Sequence, residues 1–230
     1  MIIAHRGASS LAKGNTVESF EKAITCGSDM VEFDVRKTKD SIFIVYHDKL
    51  IHDKLISELK YQQVKKIDAD IPTFEEILKL TQGKIKLDVE LKEEGYETKI
   101  VEMLLRYFKE NEFVITSFND NSLRKIKNSY PHLKVGLLLG KDKPKKLIAT
   151  RISELFPIKR AIHAKADFLA PHWKLLRWGF LRRAKNNNKP VFVWTVNDEK
   201  MMKVFLKDDR IEAIITDKPD LAASLMNTST

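Results

Sequence analysis

Short apolar runs alternate with stretches of helical periodicity along almost the whole chain, and this constrains the fold more than any other feature. Strands separated by helices join into parallel sheets through crossover connections. Nine runs qualify as strands: Ile2–Ala4, Met30–Val35, Ile42–Tyr46, Ile85–Leu91, Phe113–Ser117, Lys134–Leu139, Phe168–Ala170, Val191–Val196 and Ala213–Thr216. Between them the spacing predicts helices over Thr16–Thr25, Thr73–Leu80, Thr98–Lys109, Asn121–Ser129, Leu175–Ala184 and Glu199–Leu206, with Asn15, Thr73, Asp120 and Asn197 as caps. Nine strands is one too many for an eight-stranded barrel. The turn Lys39-Asp40-Ser41 is too short for a crossover helix, so Ile42–Tyr46 is expected to fold back on its predecessor. The remaining eight βα units close a (β/α)8 TIM-type barrel with an extra short strand near its mouth. A doubly wound open sheet is the alternative, but no Gly-rich phosphate loop follows the first strand. A chain of 230 residues with no linker or shift of composition reads as one domain over 1–230.

In such a barrel the carboxyl ends of the strands build the site. His5 and Arg6 stand at the first of them. In the second strand, Val31-Glu32-Phe33-Asp34-Val35 alternates strictly, so Glu32 and Asp34 share one face. The run Lys86-Leu87-Asp88-Val89-Glu90-Leu91-Lys92 repeats the device, placing Asp88, Glu90 and Lys92 on one face. Charges left unpaired in a packed core cost several kcal/mol each, roughly, so something cationic must compensate them. A metal ion does so with fewest groups. With no Cys or His spaced for zinc, the carboxylates suit one hard divalent cation, Mg²⁺ or Ca²⁺. The bland alternative is a salt-bridge lattice with Lys92, Arg6 and Arg36. His47 ends the fold-back run, giving a second base of near-neutral pKa. Two imidazoles, clustered carboxylates and the cations Arg6 and Lys92 match phosphodiester cleavage. One imidazole takes a proton from the nucleophile and the other protonates the leaving alkoxide.

The motifs H-R-G-A (5–8), N-T-V-E-S-F (15–20), M-V-E-F-D-V-R-K-T-K-D (30–40), V-Y-H-D (45–48), P-T-F-E-E-I-L (72–78), V-E-L-K (89–92), V-W-T-V-N (193–197) and I-I-T-D-K-P (214–219) recur in order from end to end. Together they closely resemble the glycerophosphodiester phosphodiesterase family. The resemblance implies a TIM-type barrel, a divalent metal, and hydrolysis of glycerophosphodiesters to glycerol 3-phosphate and an alcohol. It implies His5 and His47 as the catalytic histidines, Arg6 and Lys92 at the phosphate, Glu32, Asp34 and Glu90 as metal ligands, and Trp194 against the glycerol moiety. The chain departs from the family at three places. Lys13-Gly14-Asn15-Thr16 stands where P-E-N-T is usual, removing a carboxylate at Gly14; Ser41 replaces a common turn glycine; and the capping segment after Asp48 is short.

The formal charge of +9 gathers in the second half, in Lys141–Lys146 and Lys174–Lys189, which reads most simply as solvated surface. Nucleic acid is not an expected partner. Cys26, the only cysteine, reads as a small buried residue, and with no secretory leader or apolar span the expected setting is reducing and cytoplasmic. His52, His132 and His163 read as surface residues, His172 as structural, Asn197 as a cap, and Asp217 as closing the last strand. In the stretch 173–184, Trp173, Leu176, Phe180 and Ala184 make a core-facing stripe that leaves Leu175 and Trp178 among arginines. That suits an interface with lipid or protein; peripheral contact with membrane or lysolipid would bring with it a lysophospholipase D-like activity at the same site. A catalytically silent binding protein with a basic surface is the non-enzymatic alternative, which the retention of His5 and His47 disfavours. Neither head-group preference nor oligomeric state is legible in the sequence.

Overall fold

A computed structural model describes residues 1–140 and 147–227; the lysine-rich run 141–146 and residues 228–230 lie outside the described residues. The strands are β1 (Ile2–His5), β2 (Met30–Lys37), β3 (Phe43–Val45), β4 (Leu50–Ile51), β5 (Lys54–Leu55), β6 (Lys86–Leu91), β7 (Phe113–Ser117), β8 (Val135–Leu139), β9 (Phe168–Pro171), β10 (Phe192–Val193) and β11 (Ala213–Thr216). Parallel pairing runs β10-β11-β1-β2-β6-β7-β8-β9. The seam between β9 and β10 carries the parallel bridges Leu169 to Val191 and His172 to Trp194. The result is a nearly closed barrel of eight parallel strands with helices outside. β3 lies antiparallel on β2, pairing Val35 with Val45. Ser41 makes that turn at φ 62°, the conformation a glycine would adopt without strain.

The barrel interior is layered. Its lower part is apolar, with Ile3, Met30, Val114, Leu138, Phe168, Phe192 and Ile215 in one buried cluster. Phe168 stacks on Phe192 with ring centroids 4.2 Å apart. Gly136 lets Phe168 in, since a Cβ there would meet its ring at 2.2 Å. The upper part is charged, and register sets it: His5 pairs with Glu32, Glu32 with Asp88, and Asp34 with Glu90. Alternation sends Val31, Phe33, Val35, Leu87, Val89 and Leu91 outward into the helical layer, where all are buried.

Local departures from expectation concern caps and one helix. Thr16, Asn119 and Asp198 cap their helices, each one residue from the expected Asn15, Asp120 and Asn197; Thr73 caps as expected, with Glu76 completing a capping box. Asn15 and Asn197 have work elsewhere, described below. The expected helix Leu175–Ala184 is broken: a 3-10 turn spans Trp173–Leu175, Gly179 sits at φ 75°, and the helix runs Phe180–Asn186. Leu175 is buried rather than spare, whereas Trp178 is exposed. Cys26 is half-buried at a helix C-cap rather than within the core. The segment after Asp48 is a β4–β5 hairpin, a 3-10 turn and the helix Tyr61–Ile67, and the final helix runs Pro219–Asn227. Among the described residues no helix is long and apolar enough to cross a membrane.

Candidate active site

Every expected site residue comes to the carboxyl-end mouth. A cavity of about 1260 Å³ is lined by His5, Arg6, Glu32, His47, Glu90, Lys92 and Trp194 among others. Asp34 lies beneath it, 1 % exposed. Oxygens of Glu32, Asp34 and Glu90 lie within 4.8 Å of one another. The Lys92 ammonium sits 2.7 Å from Asp34 Oδ1 and 2.6 Å from Glu90 Oε1. Arg6 Nε is 3.3 Å from Asp34 Oδ2.

Charge in this pocket does not balance. Glu32, Asp34, Asp88 and Glu90 are all buried, against the cations Arg6 and Lys92, which leaves an excess of two negative charges if all four carboxylates ionise. Protonation answers the imbalance. Burial, with the charges of Asp34, Glu90 and Asp88, lifts Glu32 well above the usual carboxylate range. Burial pushes Asp88 and Glu90 up to about 7. Asp34 alone is held low, because Lys92 and Arg6 outweigh its burial. Asp88 Oδ1 accepts from Thr116 Oγ1 at 2.8 Å, while its Oδ2 is buried without a hydrogen-bond partner among the described residues. A pocket with more buried carboxylates than cations fits a hard divalent cation, and Glu32, Asp34 and Glu90, whose oxygens converge, are the ones able to hold it. The salt-bridge alternative accounts for Lys92 and Arg6 only. Arg36 also lines the cavity but is engaged by other groups: its Nε and Nη2 donate to the His47 carbonyl at 2.9 and 2.6 Å, and it pairs with Glu93.

The loop after β1 is built around left-handed residues. Arg6 has φ 54° and Gly7 φ 81°, and a Cβ on Gly7 would meet Ser19 Oγ at 2.4 Å. In this conformation the Arg6 N–H donates to Glu32 Oε2 at 3.0 Å and the Arg6 carbonyl accepts from the Asn15 N–H at 2.8 Å. Asn15, at φ 63°, donates its side-chain amide to Asp34 Oδ2 at 2.8 Å. Asn tolerates this backbone region better than most residues. Gly14 carries no carboxylate, yet Arg6 remains placed through Asp34 and Glu32.

His5 is anchored by Asp217, which does more than close the last strand. Its Nδ1 lies 2.6 Å from Asp217 Oδ1, just past β11. Asp217 also accepts from Ser9 Oγ at 2.8 Å and from the Asn197 side-chain amide. These hydrogen bonds, His5 foremost, overcome burial and hold Asp217 at about 2. Asn197 Oδ1 accepts from the Asp217 N–H at 3.0 Å, so it braces this carboxylate rather than capping a helix. Asp217 occupies a strand's carboxyl end just as His5 does, and that position was the available signal.

His47 follows β3 and is half-exposed, with Nδ1 2.8 Å from Asp48 Oδ1. Burial, then the Lys92 charge, lowers its pKa. Trp194 donates Nε1–H to the Ala170 carbonyl at 2.7 Å and meets Phe118 and His172 edge-on, at centroid distances of 5.9 and 5.2 Å. His172 is thus a packing partner of Trp194. Ser117 donates to the Leu91 carbonyl at 2.8 Å and Asn119 caps the following helix, although both also line the cavity. His52, His132 and His163 are exposed, as expected.

Residues 5–221 match the model of the Glycerophosphoryl diester phosphodiesterase family. The chain belongs to this family. Its members are phosphoric diester hydrolases. A glycerophosphodiester phosphodiesterase from Caldanaerobacter subterraneus subsp. tengcongensis is 29% identical over 248 residues, covering 98% of this chain and 97% of that protein. The crystal structure of a glycerophosphodiester phosphodiesterase from Parabacteroides distasonis superposes with TM-score 0.79 at 27% identity, covering 100% of this chain and 98% of that one. An Oleispira antarctica phosphodiesterase, solved in complex with the product sn-glycerol-3-phosphate, shares the fold with TM-score 0.81 at 24% identity, covering 99% and 96% of the two chains.

Proposed function

We propose that this member of the family hydrolyses glycerophosphodiesters to glycerol 3-phosphate and an alcohol, its 230 residues acting as one domain. The observation that carries the reading is the uncompensated buried carboxylate cluster in the cavity that His5 and His47 also line. The product complex of the Oleispira relative supports the same substrate class. Glu32, Asp34 and Glu90 would hold one divalent cation, Mg²⁺ or Ca²⁺, which when bound supplies positive charge to the phosphodiester oxygens. Arg6 and Lys92 add their charge at the phosphate, and Trp194 offers an aromatic face to the glycerol. His47, its proton affinity lowered, is neutral near pH 7 and takes the proton from the nucleophile. His5, with Nδ1 engaged by Asp217, has Nε2 available to protonate the leaving alkoxide. The substrate's 2-hydroxyl serves as nucleophile, giving a cyclic phosphate that water then opens. The single free cysteine supports a reducing, cytoplasmic setting.

The test is release of glycerol 3-phosphate from glycerophosphocholine with Mg²⁺ or Ca²⁺ and after chelation. Activity should need the cation, and His47→Ala should lower kcat by about 10²–10⁴ with an unchanged circular dichroism spectrum. Full activity in that variant overturns the assignment. Undiminished turnover of a 2-deoxy analogue removes the internal route. A second reading, lysophospholipase D-like cleavage, is favoured by the size of the cavity and by exposed Trp178; absence of head-group release from lysophosphatidylcholine removes it.

A further inference from the structure

We propose that the rim of the mouth formed by the excursions after β8 and β9 docks on an anionic phospholipid bilayer. After β8 the Gly140 N–H donates to Glu154 Oε1 at 2.8 Å. The helix Leu147–Leu155 is therefore tied back to the top of the strand the chain has just left, on the side of the site, before the shorter helix Ile158–His163 leads to β9. After β9 the chain makes the 3-10 turn and the Arg177–Gly179 corner, also at the carboxyl end. Arg183 joins the two excursions. It donates to the Leu155 carbonyl at 2.7 Å and to the Trp178 carbonyl, and its guanidinium lies 4.6 Å from the Phe156 ring centroid.

This rim exposes large apolar side chains. Ile148 is 77% and Trp178 73% exposed, and Leu147, Ile152 and Phe156 are each more than half exposed. Leu147, Ile148 and Ile152 fall within one arc of their helix. The core needs none of them here, since Leu175, Phe180 and Ala184 already fill the space beneath the corner. Charge identifies the occupant. The two excursions, residues 147–163 and 172–183, hold seven basic side chains against one acidic one. That acid, Glu154, is buried against Arg151, and of the bases Arg160 is taken up by Asp120. Lys174, Arg177 and Arg182 are exposed around Trp178. An indole and aliphatic groups amid arginines match the headgroup layer, where the ring enters the interface and guanidiniums meet lipid phosphates. A second copy of the chain would bring like charge against like, and nucleic acid would leave the aliphatic groups in water. The inference rests on the hydrolytic reading only for its use, which is to hold the mouth at a surface carrying lipid-derived diesters.

The full chain should cosediment with vesicles of phosphatidylcholine mixed with phosphatidylglycerol and not with phosphatidylcholine alone. Arg177→Gln and Arg182→Gln should each weaken binding about fivefold, at roughly 1 kcal/mol per surface arginine. Trp178→Ser should weaken it on the order of tenfold. Turnover of soluble glycerophosphocholine should match wild type in all three. Absence of binding to the mixed vesicles overturns the proposal, as does equal binding to both vesicle types or binding unchanged in the triple variant. Concentration-dependent dimerisation lost in Trp178→Ser, without vesicle binding, assigns the rim to a second copy and equally overturns it. Vesicle binding by a wild-type chain that fails to cleave glycerophosphocholine leaves docking standing and removes the hydrolytic reading.

Discussion

The Nδ1 of His5 lies 2.6 Å from Asp217 Oδ1, joining residues 212 positions apart in sequence. β1 and β11 are parallel neighbours whose register pairs Ala4 with Thr216, so each residue is the next step beyond the same rung. The carboxylate fixes the imidazole's orientation, and Ser9 and Asn197 fix the carboxylate.

Asp217→Asn should therefore lower kcat by about 10²–10³ while leaving KM for glycerophosphocholine nearly unchanged, because the amide no longer selects one tautomer of His5. Asp217 is also depressed to about 2 in the fold. A carboxylate lowered on folding adds stability that is complete above its unfolded pKa and is lost as pH falls through the folded value. Wild type should lose more melting temperature than the variant between about pH 4 and pH 2.

Asp88 and Glu90 sit at about 7 without a cation, with Glu32 also raised. A carboxyl raised on folding binds its proton more tightly in the native state, so metal-free stability should fall as pH rises from about 4.5 to 7. A divalent cation should reverse that slope and displace protons. Melting curves across this range with and without Mg²⁺ or Ca²⁺ test the slope, and calorimetry in two buffers of different ionisation enthalpy counts the protons.

Lys92→Met should remove a cation held by both Asp34 and Glu90. Breaking a buried pair from one side costs about 3–5 kcal/mol. Chemical denaturation of the metal-free variant should show that loss, and saturating divalent cation should restore part of it, with activity still low.

Gly14→Glu tests whether the family carboxylate can be reinstated. A Cβ at this position would meet Arg6 Cβ at 3.2 Å and Ser9 Cβ at 3.3 Å, so the loop carrying both must shift by a few tenths of an ångström. The expected outcome is a raised KM through displaced Arg6, read by steady-state kinetics.

Ser41→Gly acts in the opposite sense. Ser41 holds φ 62° in the turn between β2 and β3, and relief of that strain should add about 1 kcal/mol, measured by urea unfolding.

Much of this site was legible in the residues themselves. Val31-Glu32-Phe33-Asp34-Val35 alternates with the period of a strand, so its two carboxylates had to share a face whatever lay beside it. Asp88 was legible as part of the charged face of β6, but its isolation was not, since nothing in the sequence shows that, among the described residues, only Thr116 hydrogen-bonds to it. Asn15 and Asn197 were read as caps because Asn at a helix start usually is one. Tertiary contact took both: Asp34 claims the first and Asp217 the second, while neighbouring Thr16 and Asp198 do the capping. The break at Arg177–Gly179 escaped periodicity because helical spacing cannot register a left-handed residue within it.

By itself the sequence determined which residues carry charge toward the barrel axis, because alternation along a strand and the order of strands and helices are local properties. Only the tertiary structure decided how those charges are balanced. Register between β1, β2 and β6 places four carboxylates against two cations, and closure of β11 on β1 brings Asp217 to His5. Proton affinity depends on burial and on charges a few ångströms away in space, and neither distance is written along the chain.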